Sequence, residues 1–105
     1  MIKNLTPHDV VVVGESGNII KVFPKSETLA RCSVSRRVVG GVDGYPLYKN
    51  TFGAVENLPA PKEGTFFVVS RLVAEATKRG DLLIPDDTVR DEAGRIIGCR
   101  GFSRL

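Results

Sequence analysis

With 105 residues, the chain is long enough to form one domain around one hydrophobic core, and its 42% hydrophobic and 26% charged residues are ordinary for a globular protein. No apolar run approaches the roughly 20 residues of a membrane-spanning helix, and the polar residues that follow Ile2 predict the absence of a signal peptide. The net charge is only +3, acidic residues are interspersed throughout, and tryptophan is absent. Nucleic-acid-binding domains usually carry a basic stripe with interleaved aromatic residues, so we expect neither a nucleic-acid polymer nor a membrane as partner.

Turn residues divide the first half of the chain into short segments rich in β-branched residues, which predict strands. After a turn at Asn4–Pro7, Val10–Val13 and Ile19–Phe23 are expected to pair in antiparallel fashion. Two more strands are expected around a glycine-rich turn, followed by a proline-containing connector. Their expected bounds are Thr28–Val39 and Pro46–Phe52 for the strands, Gly40–Gly44 for the turn and Asn57–Glu63 for the connector.

The segment Gly64–Asp86 predicts a strand, a helix and a second strand. Phe66–Val69 is a continuous apolar run, which is typical of a strand buried on both faces. The second strand is expected over Leu82–Ile84, and Pro85 is expected to end it.

The helix between these strands has clear boundary signals. Ser70 is a good N-cap, because its hydroxyl can accept a hydrogen bond from the first turn of a helix over Arg71–Arg79. Gly80 is placed to end this helix in the left-handed conformation. We expect this to be the main helix of the protein, at about residues 70–79.

The last residues predict a terminal hairpin. Thr88–Asp91 and Arg95–Phe102 flank a turn that has Asp91 first and Gly94 last, as a type I turn prefers. No linker or repeat divides the chain, so residues 1–105 are expected to form a single compact α+β domain, with mainly antiparallel strands and one main helix. Cys32 and Cys99 are expected to be buried, reduced thiols of a cytosolic protein.

Few residues have the arrangement that catalysis or metal binding needs. His8 is the only histidine, and a structural or ligand-contact role is more plausible for it than that of a general base. Asp86 and Asp87 follow a proline, where a turn explains them better than a metal site. The chain has no D-x-D-x-D or H-x-x-x-H motif, so we expect no metal and no cofactor.

The junction Val69-Ser70-Arg71 is the best ligand candidate in the sequence. A helix start presents unpaired N–H donors, Ser70 adds a hydroxyl and Arg71 adds a planar cation, a combination suited to phosphate. No glycine-rich loop precedes the helix, so no P-loop or dinucleotide fingerprint is present. An ordinary capped helix remains the alternative for this segment.

Several short motifs resemble those of a family of short proteins from bacteriophages, prophages and some bacteria. They are Asn4–His8 (NLTPH), Ala30-Arg31, Phe52-Gly53, Leu58-Pro59, Glu63–Thr65 (EGT), Val68–Ser70 (VVS) and Pro85-Asp86. The resemblance covers almost the whole chain, but Pro24–Glu27 (PKSE) replaces the P-P-S-G-like turn that is usual in the family. It implies a small phage-type protein in a bacterial cytosol and assigns no catalytic residue.

These observations favour a non-enzymatic protein that binds a phosphate-bearing, nucleotide-derived small molecule, such as a sponge for an immune signal. The expected ligand residues are Ser70 and Arg71 for phosphate, Arg31 and Arg90 as further cations, Phe52 for stacking, and Asn4, Thr6 and His8 for polar contacts. A homo-oligomer is expected, because one helix leaves much of the sheet uncovered. The alternatives are a protein–protein inhibitor or virion accessory protein, and a hydrolase of nucleotide signals.

Overall fold

The computed structural model describes residues 1–105 and consists of eight strands and one short helix. The fold is therefore mainly β, and the expected α+β class holds only in the coarse sense that a helix accompanies the strands. No helix has the length and apolar composition needed to span a membrane. In chain order the elements are β1 Ile2–Asn4, β2 Val10–Val13, β3 Ile19–Phe23, β4 Arg31–Val42, β5 Tyr45–Glu56, β6 Phe66–Val68, α1 Arg71–Thr77, β7 Leu82–Arg90 and β8 Ile96–Ser103.

Six of the strands form one mixed sheet in the order β1-β6-β7-β8-β2-β3. The antiparallel pairing of β2 with β3, with Val10 opposite Phe23, confirms the first predicted hairpin, and β7–β8 confirms the terminal one. The remaining contacts of this sheet depart from the expected antiparallel pairing, since β1, β6 and β7 are parallel and β2 runs parallel to β8. The helix is the crossover that parallel pairing of β6 with β7 requires.

The side chain of Asn4 nearly closes this sheet by linking its two outer strands. At the end of β1, its Nδ2 donates to the carbonyl oxygen of Phe23 in β3 at 3.0 Å and to that of His8 at 2.8 Å. Its Oδ1 accepts from the backbone N–H of Thr6 at 2.9 Å and from the Thr6 hydroxyl at 2.7 Å. Asn4 is buried, and every polar atom of its side chain is satisfied within the chain.

The core lies on both faces of β6. Phe67 points to one face, where it packs with Val73 and Ala74 of the helix, and Val68 points to the other face with Val10. Alternation along a strand produces this division, and it confirms that the segment is buried on both faces, although Phe66 at its start is exposed. The core is small, with 12 of 105 residues buried.

The helix begins where the sequence predicts and ends earlier. Ser70 is the N-cap, and its hydroxyl oxygen accepts from the Val73 N–H at 3.3 Å. The helix stops at Thr77 because Lys78 takes the left-handed conformation, with φ 53°, and its N–H bonds the Ala74 carbonyl. The predicted extension to Arg79 and the predicted cap at Gly80 are therefore wrong, since Gly80 has no positive φ.

Strand β7 continues through Pro85 instead of ending there. The carbonyl of Leu83 accepts from Val69 at 3.0 Å, so odd-numbered residues of β7 point their backbone groups toward the side of β6. Strand β6 pairs only as far as Leu83, and the missing N–H of Pro85 therefore falls where no neighbour needs it. Pro85 instead lies opposite Phe102 of β8.

Strands β4 and β5 form a two-stranded hairpin that pairs with no other strand, called the arm below. Each strand has 12 residues, and their ends at Val42 and Tyr45 flank a tight turn with positive φ at both Asp43 and Gly44. Strand β5 is longer than the predicted Pro46–Phe52, and β4 has the predicted length but lies three residues later in the chain. The turn is shorter than predicted, because this turn type lets pairing continue to its edge. The radius of gyration is 16.6 Å, against about 13 Å for a compact domain of this size, so the expected compactness is wrong.

Candidate ligand-binding cleft

A cleft of about 660 Å³ opens where three of the parallel strands end or begin. One wall is the segment Thr6–Asp9 that follows β1, and another is Val69–Arg71 that follows β6. The first residues of β2 and parts of β7 and β8 complete it. The volume suits a small molecule, and a crevice beyond the carboxyl ends of parallel strands is a common ligand position in sheets with helical crossovers.

The floor of the cleft is apolar. Val10, Val69 and Cys99 are buried beneath it, while Ile96 and Ile97 stand more than half exposed at its side. Such a surface can take up a flat apolar group, because covering it removes hydrocarbon from water.

Polar groups are confined to the rim. Arg71 is 70% exposed and pairs with Glu75 at 3.0 Å, an i,i+4 contact that contributes little and can be given up to a ligand. The Ser70 oxygen accepts from Val73, which leaves its hydroxyl hydrogen able to donate. The His8 ring is exposed on the opposite wall, and the Asp9 carboxylate is already bonded to the Lys25 N–H at 2.8 Å.

The cleft contains no activated nucleophile. Burial raises the pKa of the Cys99 thiol, which keeps it protonated and weakly reactive near neutral pH. Ser70 is bonded to a backbone N–H and to no general base. No group of three or more His, Cys, Asp or Glu side chains is placed to hold a metal ion. What the geometry provides is an apolar surface with one exposed cation, and with hydroxyl and imidazole groups, at its edge.

The structure brings together four of the eight residues predicted to bind a ligand. Thr6, His8, Ser70 and Arg71 line the cleft, and Asn4 lies behind it with its amide used in closing the sheet. The three others lie elsewhere: Arg31 and Phe52 are in the arm, and Arg90 donates to the Gly94 carbonyl at 2.7 Å in the terminal turn.

Sequence reasoning missed the apolar part of the cleft. The sequence indicates only a strand for Val10 and Val11, only a hairpin strand for Ile96 and Ile97, and only a buried thiol in that strand for Cys99. Their role depends on β8 lying beside β2, where Val12 is opposite Cys99. No local pattern in the sequence indicates that pairing, because the two partners are 87 positions apart in the chain.

The two cysteines are separate thiols, as expected, with Cys99 buried and Cys32 only half-buried. The Cys32 thiol donates to the Gly53 carbonyl at 3.3 Å across the base of the arm. Neither cysteine therefore cross-links the fold.

Comparison with known proteins assigns no relative: no protein-family model matches the chain, and no curated protein or solved structure shows significant similarity to it.

Proposed function

We propose that the protein binds a phosphate-bearing, nucleotide-derived small molecule in this cleft and releases it unchanged. The single observation that carries the proposal is the arrangement of the cleft, in which an apolar floor lies beside a rim with Arg71, Ser70 and His8. A nucleobase would cover the floor, and its phosphate would reach Arg71 and the Ser70 hydroxyl. Hydrogen bonds to a charged partner contribute roughly 1.5–3 kcal/mol each, enough to select phosphorylated compounds over their nucleosides.

The proposed setting is the cytosol of a bacterium infected by a phage, with the protein acting as a sponge for a nucleotide-derived immune signal. The motif resemblance to short phage proteins supports this setting, and the absence of an activated nucleophile supports storage over hydrolysis.

Isothermal titration calorimetry against cyclic nucleotides and ADP-ribose derivatives tests the proposal. We expect one class of these compounds to bind, and Arg71→Ala to weaken that binding at least about ten-fold by removing a charge-assisted bond. Arg95→Ala is the matched control, because Arg95 is also exposed and also forms an i,i+4 ion pair at 3.0 Å, but lies outside the cleft. Equal losses in both variants would reduce the effect to net charge and refute the assigned site.

The state of the recovered ligand separates a sponge from a hydrolase. After binding, heat denaturation should release the compound with its original mass. Cleaved compound in the released fraction would establish hydrolysis, and the absence of binding to every compound would overturn the small-molecule proposal in favour of a protein-binding role for the exposed arm.

A further inference from the structure

The arm carries apolar side chains on one side that no part of the chain covers. Between the two irregularities of its register, the strands pair continuously from Val34 opposite Phe52 to Val38 opposite Tyr48. Alternate pairs of a ladder share a face. One face therefore carries the pairs Val34/Phe52, Arg36/Asn50 and Val38/Tyr48, and the other carries Ser35/Thr51 and Arg37/Lys49.

The first of these faces is the apolar strip, defined by Val34, Phe52, Val38 and Tyr48. All four side chains are between 43% and 60% exposed. The Arg36 guanidinium lies over the Tyr48 ring at 4.4 Å from its centroid, so its charge is held against an aromatic surface. The opposite face of the same segment is hydroxyl-bearing and basic, which makes the segment between the two irregularities amphipathic in the manner of a sheet with one buried side.

The strip is continuous with the core at the base of the arm. Cys32 and Val55 lie opposite each other there and pack against the cluster around Phe67. Val34 lies on the same side of β4 as Cys32, because the extra residue of the intervening irregularity is in β5. The face that is core at the base thus becomes solvent-exposed further out. A two-stranded hairpin alone is at best marginally stable in water, so covering the outer part of the arm would stabilise it.

We propose that a second copy of this chain covers the apolar strip and that the protein assembles through its arms as a two-fold dimer. The strip has the same pattern from either end, an apolar pair, a polar pair and an apolar pair. Two copies related by a two-fold axis therefore place apolar pairs on apolar pairs, whichever direction the arms run, which is the self-complementarity that such contacts need.

Sedimentation velocity of the full chain over a dilution series tests this proposal. We expect a species of twice the 11.4 kDa chain mass. Val38→Glu combined with Tyr48→Glu places charges in the strip and should raise the dimer dissociation constant at least about 100-fold. Ser35→Glu combined with Thr51→Glu is the matched control, because it adds the same charges to the same segment on the opposite face and should preserve the dimer.

Hydrogen exchange gives a second readout that does not depend on mass. Arm amides should be protected in the wild-type dimer and exchange rapidly in the Val38→Glu/Tyr48→Glu variant. The amides of β6 should stay protected in both, which would show that the six-stranded sheet and its helix, together called the body, are folded. A wild-type chain that is monomeric throughout the series would overturn the proposal, and the partner that covers the strip would then be a different protein. Equal weakening by the two double variants, or a dimer that survives the first of them, would also overturn it. None of these outcomes depends on whether the cleft binds a nucleotide.

Discussion

Asn4 was expected to contact a ligand, and its amide instead holds the outer strands together. Asn4→Ala would remove the amide donor from the carbonyls of Phe23 and His8, where both hydrogen bonds are partly buried, and would leave His8 with only the Thr6 hydroxyl as donor. We expect it to lower the free energy of unfolding by about 2–3 kcal/mol, measured by urea denaturation. Asn18→Ala is the control, because Asn18 is exposed and its side chain makes one hydrogen bond, to Ser16. Unchanged stability with lost ligand binding would restore Asn4 to the site.

The ion pair between Arg79 and Asp81 makes stability depend on pH. Two hydrogen bonds, of 2.9 and 2.6 Å, join the side chains, and the guanidinium also donates to the Pro59 carbonyl at 2.9 Å. Hydrogen bonding to Arg79 lowers the pKa of the Asp81 carboxyl below its ordinary value. A lowered pKa in the folded state means that the pair stabilises above the unfolded pKa of about 3.9 and loses this contribution as pH falls through the lower value.

Comparison of wild type with Asp81→Asn in urea unfolding from pH 7 to pH 2 measures this contribution. The wild type should be more stable by about 1 kcal/mol at neutral pH, and the difference should disappear at the acidic end. A difference that stays constant across this range would mean that packing, and not ionisation, makes Asp81 important.

At the scale of elements, the end of α1 shows how a structural detail changes an expected mutational effect. Lys78 is in the left-handed region, where a side chain is unfavourable and glycine is not. Lys78→Gly should therefore raise the free energy of unfolding by about 0.5–1 kcal/mol in urea denaturation. Gly80 has no positive φ and no heavy atom within 4 Å of an added Cβ, so Gly80→Ala should leave stability unchanged or raise it. A loss in the second variant with no gain in the first would place the cap at Gly80 after all.

The sequence predicted those elements whose signals are local. Ser70 and the Asp91–Gly94 turn were found because a cap and a turn depend on residues within four positions, and the Asp91 carboxylate does accept from the Ala93 and Arg95 N–H groups at 2.9 Å. The prediction that Pro85 ends its strand is wrong because a strand tolerates proline where no neighbouring strand needs its N–H, and this depends on where β6 ends. The mixed sheet and the floor of the cleft depend on pairing between distant segments, which residue patterns do not encode locally. The hairpin of the arm is local, but its separation from the other six strands is not indicated by its residues.

At the scale of the whole molecule, the core and the cleft belong to the body, and the exposed apolar strip belongs to the arm. The body contains every buried residue and the cleft, whereas the arm contributes none of the 12 buried residues. The proposed ligand site and the proposed dimer surface are therefore on separate parts of the chain, and substitutions in one are expected to leave the other intact. This separation allows the calorimetric and sedimentation experiments to be interpreted independently.

The arm also has two open edges, each formed by the outward-pointing backbone groups of a 12-residue strand, and such edges favour the addition of further strands without limit. Three features oppose such strand addition. The first is that Arg37 lies directly opposite Lys49, and the other two are the irregularities of the ladder near Ser33 and near Val39. Like charges repel an incoming identical edge, and bulges twist it out of register. Arg37→Val combined with Lys49→Val should therefore form fibres that bind thioflavin T at concentrations where the wild type stays clear. A variant whose solution remains as clear as that of the wild type would show that the bulges alone prevent polymerisation and that the basic pair is not needed for it.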